Sequence, residues 1–440
     1  MIHNPLTLLF AQILSIIAVS LLFSLAVMKV RQPRVIAEIM AGIFLGPSLV
    51  GWLAPSLSQA IFPSESMPSL QLLSQFSLVI FMFCVGLHLN IEQLNGNKKR
   101  SSVISIAGIV FPFVSALPTA WYLHRYHDLA PAGVTFTSFY LFFAVCLSIT
   151  AFPVLVRILT DLKETNSQLG VISITAAAFD DAIGWCGVSL VISVVNNQGN
   201  PWGAILTFVL TLSLIAGMAF VVRPLMHRLL KLTDHYQWLR ENSAAFLLGL
   251  AILSAWLTEL IGIHALFGAF AFGMTIPREH AEELENKLKV LISSVLLPLF
   301  FAYTGLRTQV GFLLTPEALL LTALITIVAC CGKFGGCTLA ARWSGLSWPD
   351  AAAVGSLMNS RGLMELVVLN IGLDLGVISD GLFTMMVAMT LITTFMASPL
   401  FGYLKNRKTY SENSFLDNRE PLIAGTRDNS LCPVYEIELD

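Results

Sequence analysis

Charge is scarce in this sequence. Only 12% of its 440 residues are Asp, Glu, Lys or Arg, about half the share of an ordinary soluble domain. That excludes a large soluble domain. Lys and Arg form no long basic block, and the formal net charge is −2, so nucleic acid is not an expected partner. The seven cysteines (Cys84, Cys146, Cys186, Cys330, Cys331, Cys337 and Cys432) lack metal-type spacing. Six lie in apolar runs and read as small hydrophobes, not as ligands or disulfides. The chain start, Met1-Ile2-His3-Asn4-Pro5, has no Lys or Arg. A cleaved signal needs a positive start, so the first apolar run is expected to be a retained span.

What the chain has in abundance is apolar sequence. Hydrophobic residues make up 56%, and the mean hydropathy is +0.76. About 20 apolar residues cross a bilayer as a helix. On that measure the expected fold is an all-α polytopic membrane protein with thirteen transmembrane helices. They lie near 7–29, 35–54, 70–90, 101–124, 136–159, 167–195, 203–224, 243–260, 263–277, 291–306, 317–341, 351–371 and 380–403. Over residues 278–290, Ala281, Leu284 and Leu288, with Leu291 after them, recur at helical spacing among charged residues, which predicts an amphipathic helix lying on the membrane surface. Residues 404–440 are polar and irregular, and are expected to form a flexible cytoplasmic tail. Arg125 and Arg307 are the Lys and Arg residues of the even-numbered loops, whereas the odd-numbered loops hold sixteen and the tail five. The positive-inside rule then places the N-terminus outside and the C-terminus in the cytoplasm of a cell (inner) membrane.

A weak internal repeat is present. Phe83-Cys84-Val85-Gly86-Leu87 at the end of span three parallels Ala302-Tyr303-Thr304-Gly305-Leu306 at the end of span ten. Span two carries Ala41-Gly42-Ile43-Phe44-Leu45-Gly46-Pro47, and span nine carries Gly268-Ala269-Phe270-Ala271-Phe272-Gly273 with Pro277 after it. The offset of seven spans predicts two inverted six-helix repeats joined by a linking helix. This plan is common in secondary transporters, with sites near the midplane on broken helices.

Ionisable residues deep in spans carry the chemistry. Asp180 and Asp181 sit in span six, Lys333 in span eleven, and Arg361 and Glu365 in span twelve. An Asp at the bilayer centre costs about 2.5–3.5 kcal/mol even on the lenient insertion scale. Two in succession need partners or water. Lys333 lies among Gly332, Gly335 and Gly336, which permit close helix approach, and is expected to pair with an Asp of span six. Arg361 and Glu365 are four apart and can pair with each other. In Ser148-Ile149-Thr150-Ala151-Phe152-Pro153, Pro153 cannot donate to the Ile149 carbonyl. Freed carbonyls and the hydroxyls of Ser148 and Thr150 would supply oxygen ligands for a bare cation. Span twelve has Asn359-Ser360-Arg361-Gly362 at the matching place. A simple proline kink is the bland alternative for span five.

These three stretches resemble the monovalent cation:proton antiporter-2 family. The carrying residues are Ser148-Ile149-Thr150-Ala151-Phe152-Pro153-Val154-Leu155 with Arg157-Ile158-Leu159; Thr175-Ala176-Ala177-Ala178-Phe179-Asp180-Asp181; and Met358-Asn359-Ser360-Arg361-Gly362-Leu363-Met364-Glu365. The resemblance covers the chain to about residue 403. It implies a core domain with two crossing broken helices, about 101–195 and 317–403, and a scaffold or dimer domain, about 7–90 and 203–306. It further implies Asp181 as the cation- and proton-binding carboxylate, Asp180 paired with Lys333, and Thr150 with the Ile149 backbone at the crossing. Members are usually homodimers in membrane lipid. Larger relatives carry a C-terminal regulatory domain, which is not expected here.

The function implied is exchange of Na⁺ or K⁺ for protons by alternating access, electrogenic if Lys333 releases a proton when cation binds. Asp180 and Asp181 would then ligate the transported alkali cation, and no catalytic residue or resident cofactor is expected. Competing expectations are a sodium-coupled solute symporter, a passive cation channel, an intramembrane aspartyl protease and a sensor that has lost transport. The protease needs two carboxylates that converge, whereas neighbours on a helix point about 100° apart.

Overall fold

The computed structural model describes residues 4–29, 34–88, 98–127, 129–165, 167–196, 206, 209–210, 213–233, 237–261 and 264–417. Among these the chain is helix and connecting turn. The elements that matter for the site are α1 (Pro5–Lys29), α2 (Arg34–Leu45), α3 (Met67–His88), α4 (Lys98–Tyr126), α5 (Phe136–Ser148), α6 (Phe152–Asp161), α7 (Gln168–Asn196), α8 (Gln237–Ile261) and α9 (Ala265–Gly273). They continue with α10 (Arg278–Leu291), α11 (Leu297–Arg307), α12 (Pro316–Cys330), α13 (Gly336–Trp343), α14 (Trp348–Met358), α15 (Leu363–Asp374) and α16 (Asp380–Asp417). Ten helical stretches among the described residues are long and apolar enough to cross a membrane.

Large apolar side chains face outward along these helices; Leu14, Leu21, Leu22 and Leu25 of α1 are each more than 60% exposed. In a soluble protein that would be an aggregation surface; here it is a face for lipid. Inside, contact is made by small residues, as expected where apolar burial cannot drive helix association. A Cβ on Gly42 would lie 2.1 Å from the Ala302 carbonyl oxygen, so α2 and α11 touch backbone to backbone. A Cβ on Gly86 would lie 2.3 Å from the Phe270 carbonyl oxygen, and α3 meets α9 in the same way.

Three expectations differ from what is seen. Residues 278–290 are helical, but the helix does not stop there. α10 runs through a π turn, Ile292–Leu296, into α11. Ala281 and Leu284 are each 3% exposed, so the start of this apolar stripe is covered by protein, while Leu291 is 47% exposed. A helix with a polar first half can extend past the bilayer as well as lie along it, and the stripe alone does not distinguish the two. The polar tail begins as helix: α16 continues to Asp417. Extending a formed helix fixes one residue per added hydrogen bond, far easier than starting a new one. Residues 418–440, Cys432 included, lie outside the described residues. The seventh apolar stretch is seen as Ser213–Lys231, past the expected end at 224. Most of 203–212 lies outside the described residues, as does 89–97.

Candidate functional site

The site begins with two interrupted helices. α5 stops at Ser148, where Ile149 (φ −75°, ψ 138°) turns extended, and Ala151 (φ −87°, ψ 92°) precedes the restart at Phe152. Pro153 sits in the first turn of α6, where its missing N–H costs nothing; its side chain lies outside the described residues. The second break separates α14 from α15. Gly362 there has φ +156° and ψ −122°, a region open to glycine, and a Cβ would fall 2.9 Å from Val154 Cγ2. The breaks meet each other. Ala151 N donates to Ser360 O at 3.1 Å, and Thr150 Oγ1 lies 3.0 Å from Met358 O.

α7 lays the acid pair against this crossing. Asp180 and Asp181 are each 1% exposed, yet they are treated differently. Asp180 is saturated. Its Oδ1 accepts from Ser105 Oγ at 2.6 Å, and its Oδ2 accepts from Thr150 Oγ1 at 2.7 Å and Lys333 Nζ at 2.5 Å. Neither oxygen of Asp181 has a hydrogen bond of ordinary geometry. The Phe152 amide, at the start of α6, faces it without closing one. A helical step of about 100° separates the two side chains and permits this division.

Lys333 is fully buried on a π turn, Cys331–Gly335, between α12 and α13. Such turns often mark functional sites. A Cβ on Gly332 would lie 2.8 Å from Pro112 Cα, so α4 approaches closely enough to seal the lysine in. Its Nζ donates to Asp180 and to the Ser148 carbonyl. Arg361 serves the same half-helix end. Its Nη1 donates to Cys146 O (3.0 Å) and Glu365 Oε1 (3.2 Å), and its Nη2 to Leu147 O (2.7 Å). Both Arg361 and Glu365 are 0% exposed. The last carbonyls of a helix lack internal partners and carry about half a negative charge. At α5 two cations take three of those carbonyls, Cys146, Leu147 and Ser148.

The expected residues are therefore brought together, with changes of role. Lys333 does pair with an Asp of span six, and Arg361 does pair with Glu365. Arg361 also caps α5, a long-range contact that the i,i+4 spacing could not reveal. The Ser148 hydroxyl does not turn to the acids: it donates back to Ala144 O at 2.7 Å, with Ile109 O at 3.2 Å. Asn359, at the second break, is 5% exposed with Oδ1 unbonded. Ser105 is the residue the sequence reading missed. The signal was faint: Ser101 and Ser105 form an i,i+4 polar edge on an apolar helix, and both are fully buried.

Chemically, the site holds one carboxylate fixed by three donors and a second whose oxygens close no hydrogen bond of ordinary geometry and face the Phe152 amide. Buried carboxylate oxygens without a donor in place accept a proton or a partly dehydrated cation.

The family described as "Sodium/hydrogen exchanger, transmembrane" matches residues 14–404. The Na(+)/H(+) antiporter NhaS4 of Synechocystis is 40% identical over 399 residues, 90% of this chain and 97% of that protein. Cation/H(+) antiporter 17 of Arabidopsis thaliana is 36% identical, covering 91% of this chain and 48% of its own length. K(+)/H(+) antiporter 1 of Saccharomyces cerevisiae is 31% identical, covering 90% of this chain and 46% of its own length. The chain thus spans nearly all of the cyanobacterial relative and about half of the plant and yeast ones. Among solved structures, the sodium proton antiporter MjNhaP1 of Methanocaldococcus jannaschii at pH 8 shares the fold, with a TM-score of 0.67 at 15% identity over 91% of this chain and 98% of that one. On the extent of the family match and the identity to NhaS4, this multi-pass membrane protein belongs to the sodium/hydrogen exchanger family.

Proposed function

We propose that this chain exchanges a monovalent cation, Na⁺ or K⁺, for protons across a membrane by alternating access. The observation that carries the reading is Asp181: a buried carboxylate with both oxygens unbonded, beside an Asp already held by Lys333. One such group binds a proton or a cation, not both at once. Competition at one site gives antiport if the site faces one side at a time. The helices bearing the site, α4–α7 and α12–α16, form the core that moves against a scaffold of α1–α3 and α8–α11. Asp180 and Asp181 ligate the cation, with Thr150 and the Ile149 backbone at the crossing. Lys333 gives up its proton when the cation enters, so two protons exchange for one cation and transport is electrogenic.

Thirteen spans in two inverted repeats suit this mechanism. The α2–α11 contact becomes the α3–α9 contact if span two maps on nine and span ten on three, as a two-fold relation requires. The protein works as a homodimer in lipid, N-terminus outside and C-terminus in the cytoplasm, and is a carrier, not an enzyme. The test is proton flux in proteoliposomes against each alkali cation. Asp181→Asn is expected to abolish exchange with the protein still folded. Exchange that persists in that variant overturns the assignment.

A further inference from the structure

The core and the scaffold are joined unevenly at their two ends. α10, its π turn and α11 form one continuous helical stretch, so Glu285 and Arg307 stand about 33 Å apart along it, about the thickness of a bilayer core. At the Arg307 end, polar bonds tie scaffold to core. Arg307 Nη1 donates to Asp374 Oδ1 (2.7 Å) and Asn370 Oδ1 (3.2 Å) on α15. Gln71 Nε2 of α3 donates to Asp374 Oδ2 (3.0 Å), and Asn370 Nδ2 to Thr304 Oγ1 of α11 (2.9 Å). The Arg307 guanidinium also stands 5.6 Å from the Tyr303 ring of its own helix and 5.9 Å from the Phe383 ring of α16, so a single cation faces both halves. At the Glu285 end a cavity of about 230 Å³ parts the halves. Its walls include Phe81 and Ser293 from the scaffold and Phe152 and Val156 from the core. Phe152 is the residue whose amide faces Asp181.

We propose that the Arg307–Asp374 pair is a latch. It holds the Arg307 face shut while the cavity on the other face stays open, and it must part in every transport cycle. The inference rests on the exchange reading and its division into core and scaffold. The side chains of the pair are 19% and 30% exposed, so water can replace each partner as they separate. Ion pairs of that exposure contribute little net stability, which suits a contact made and broken repeatedly. The Lys333–Asp180 pair is fully buried, so water cannot replace its partners as it can at Arg307 and Asp374.

The test places one thiol at Ser293, which lines the cavity, in the full chain with its seven natural cysteines replaced. A membrane-impermeant thiol reagent supplied at the Glu285 face then reports how often the cavity is open. Asp374→Asn, close in size to the native residue, and Arg307→Ala are each expected to slow labelling about two- to fivefold, by releasing the population towards the opposite-facing state. The exchanged pair, Arg307→Asp with Asp374→Arg, is expected to restore the parent rate. Labelling at the parent rate in both single variants overturns the latch, as does an exchanged pair no faster than the singles. Asp181→Asn separates the two readings. Exchange that persists there removes the transport assignment, whereas unchanged labelling in the single latch variants removes only the latch.

Discussion

At the scale of single residues, the site is built on an inequality between neighbours. Asp180 and Asp181 are identical in type and equally buried, but one has three donors and the other none of ordinary geometry. A fully bonded carboxylate receives an incoming ion only once a donor withdraws, as Lys333 does in the exchange reading. The unbonded one is ready. Lys333 makes the difference, and its removal leaves the Asp180 charge buried without its ammonium. Breaking a buried pair in this way costs about 3–5 kcal/mol. Lys333→Ala is therefore expected to lower the melting temperature in detergent and to change the voltage dependence of exchange. Unchanged electrogenicity would take Lys333 out of the proton count. The acid pair, the lysine and the Arg361–Glu365 pair were legible in the sequence, since charge in an apolar run is conspicuous. Ser105 was not, because a serine can satisfy itself on its own helix and leaves no such signal.

At the scale of elements, the site depends on two helices that stop and restart. Pro153 accounts for the first break and Gly362 for the second, by different means. Proline removes a donor; glycine reaches a backbone region closed to side chains. The exposed half-helix ends are then used. Lys333 and Arg361 take the C-terminal carbonyls of α5, and the N-terminal amide of Phe152 faces Asp181. Gly362→Ala is expected to destabilise the protein by about 1–3 kcal/mol through backbone strain alone, with more from the contact at Val154. Thermal unfolding in detergent checks it, and a melting temperature equal to the parent's would show that the second break tolerates a side chain. The breaks were visible in the sequence as proline and glycine out of place in apolar spans. Their meeting, through Ala151 and Ser360, joins residues some two hundred positions apart and has no local signature.

At the scale of the whole molecule, hydropathy and charge determine the class and the expected topology. The proposed thirteen spans would put the two termini on opposite sides. Protease-sensitive tags at each end, probed in intact cells, are expected to be cut from outside at the N-terminus and protected at the C-terminus. Both tags on one side would contradict the odd number of spans and the inverted repeat. Helix ends are less legible: composition predicts a separate surface helix from 278 and an irregular tail from 404. In both places a polar segment continues an existing helix, and composition cannot tell a helix leaving the membrane from one lying on it.

The sequence alone determined that this is a polytopic membrane protein with an ionisable cluster on interrupted helices. Those features are local, set by the cost of charge and of lost backbone hydrogen bonds in an apolar run. Tertiary structure decided which Asp is held and which is free. It also sent Arg361 to cap α5, placed Ser105 on Asp180, and joined Arg307 of α11 to Asp374 of α15. Each of these depends on which helix faces which. In a membrane that choice is made by close packing of small residues over long separations, and apolar periodicity carries little record of it.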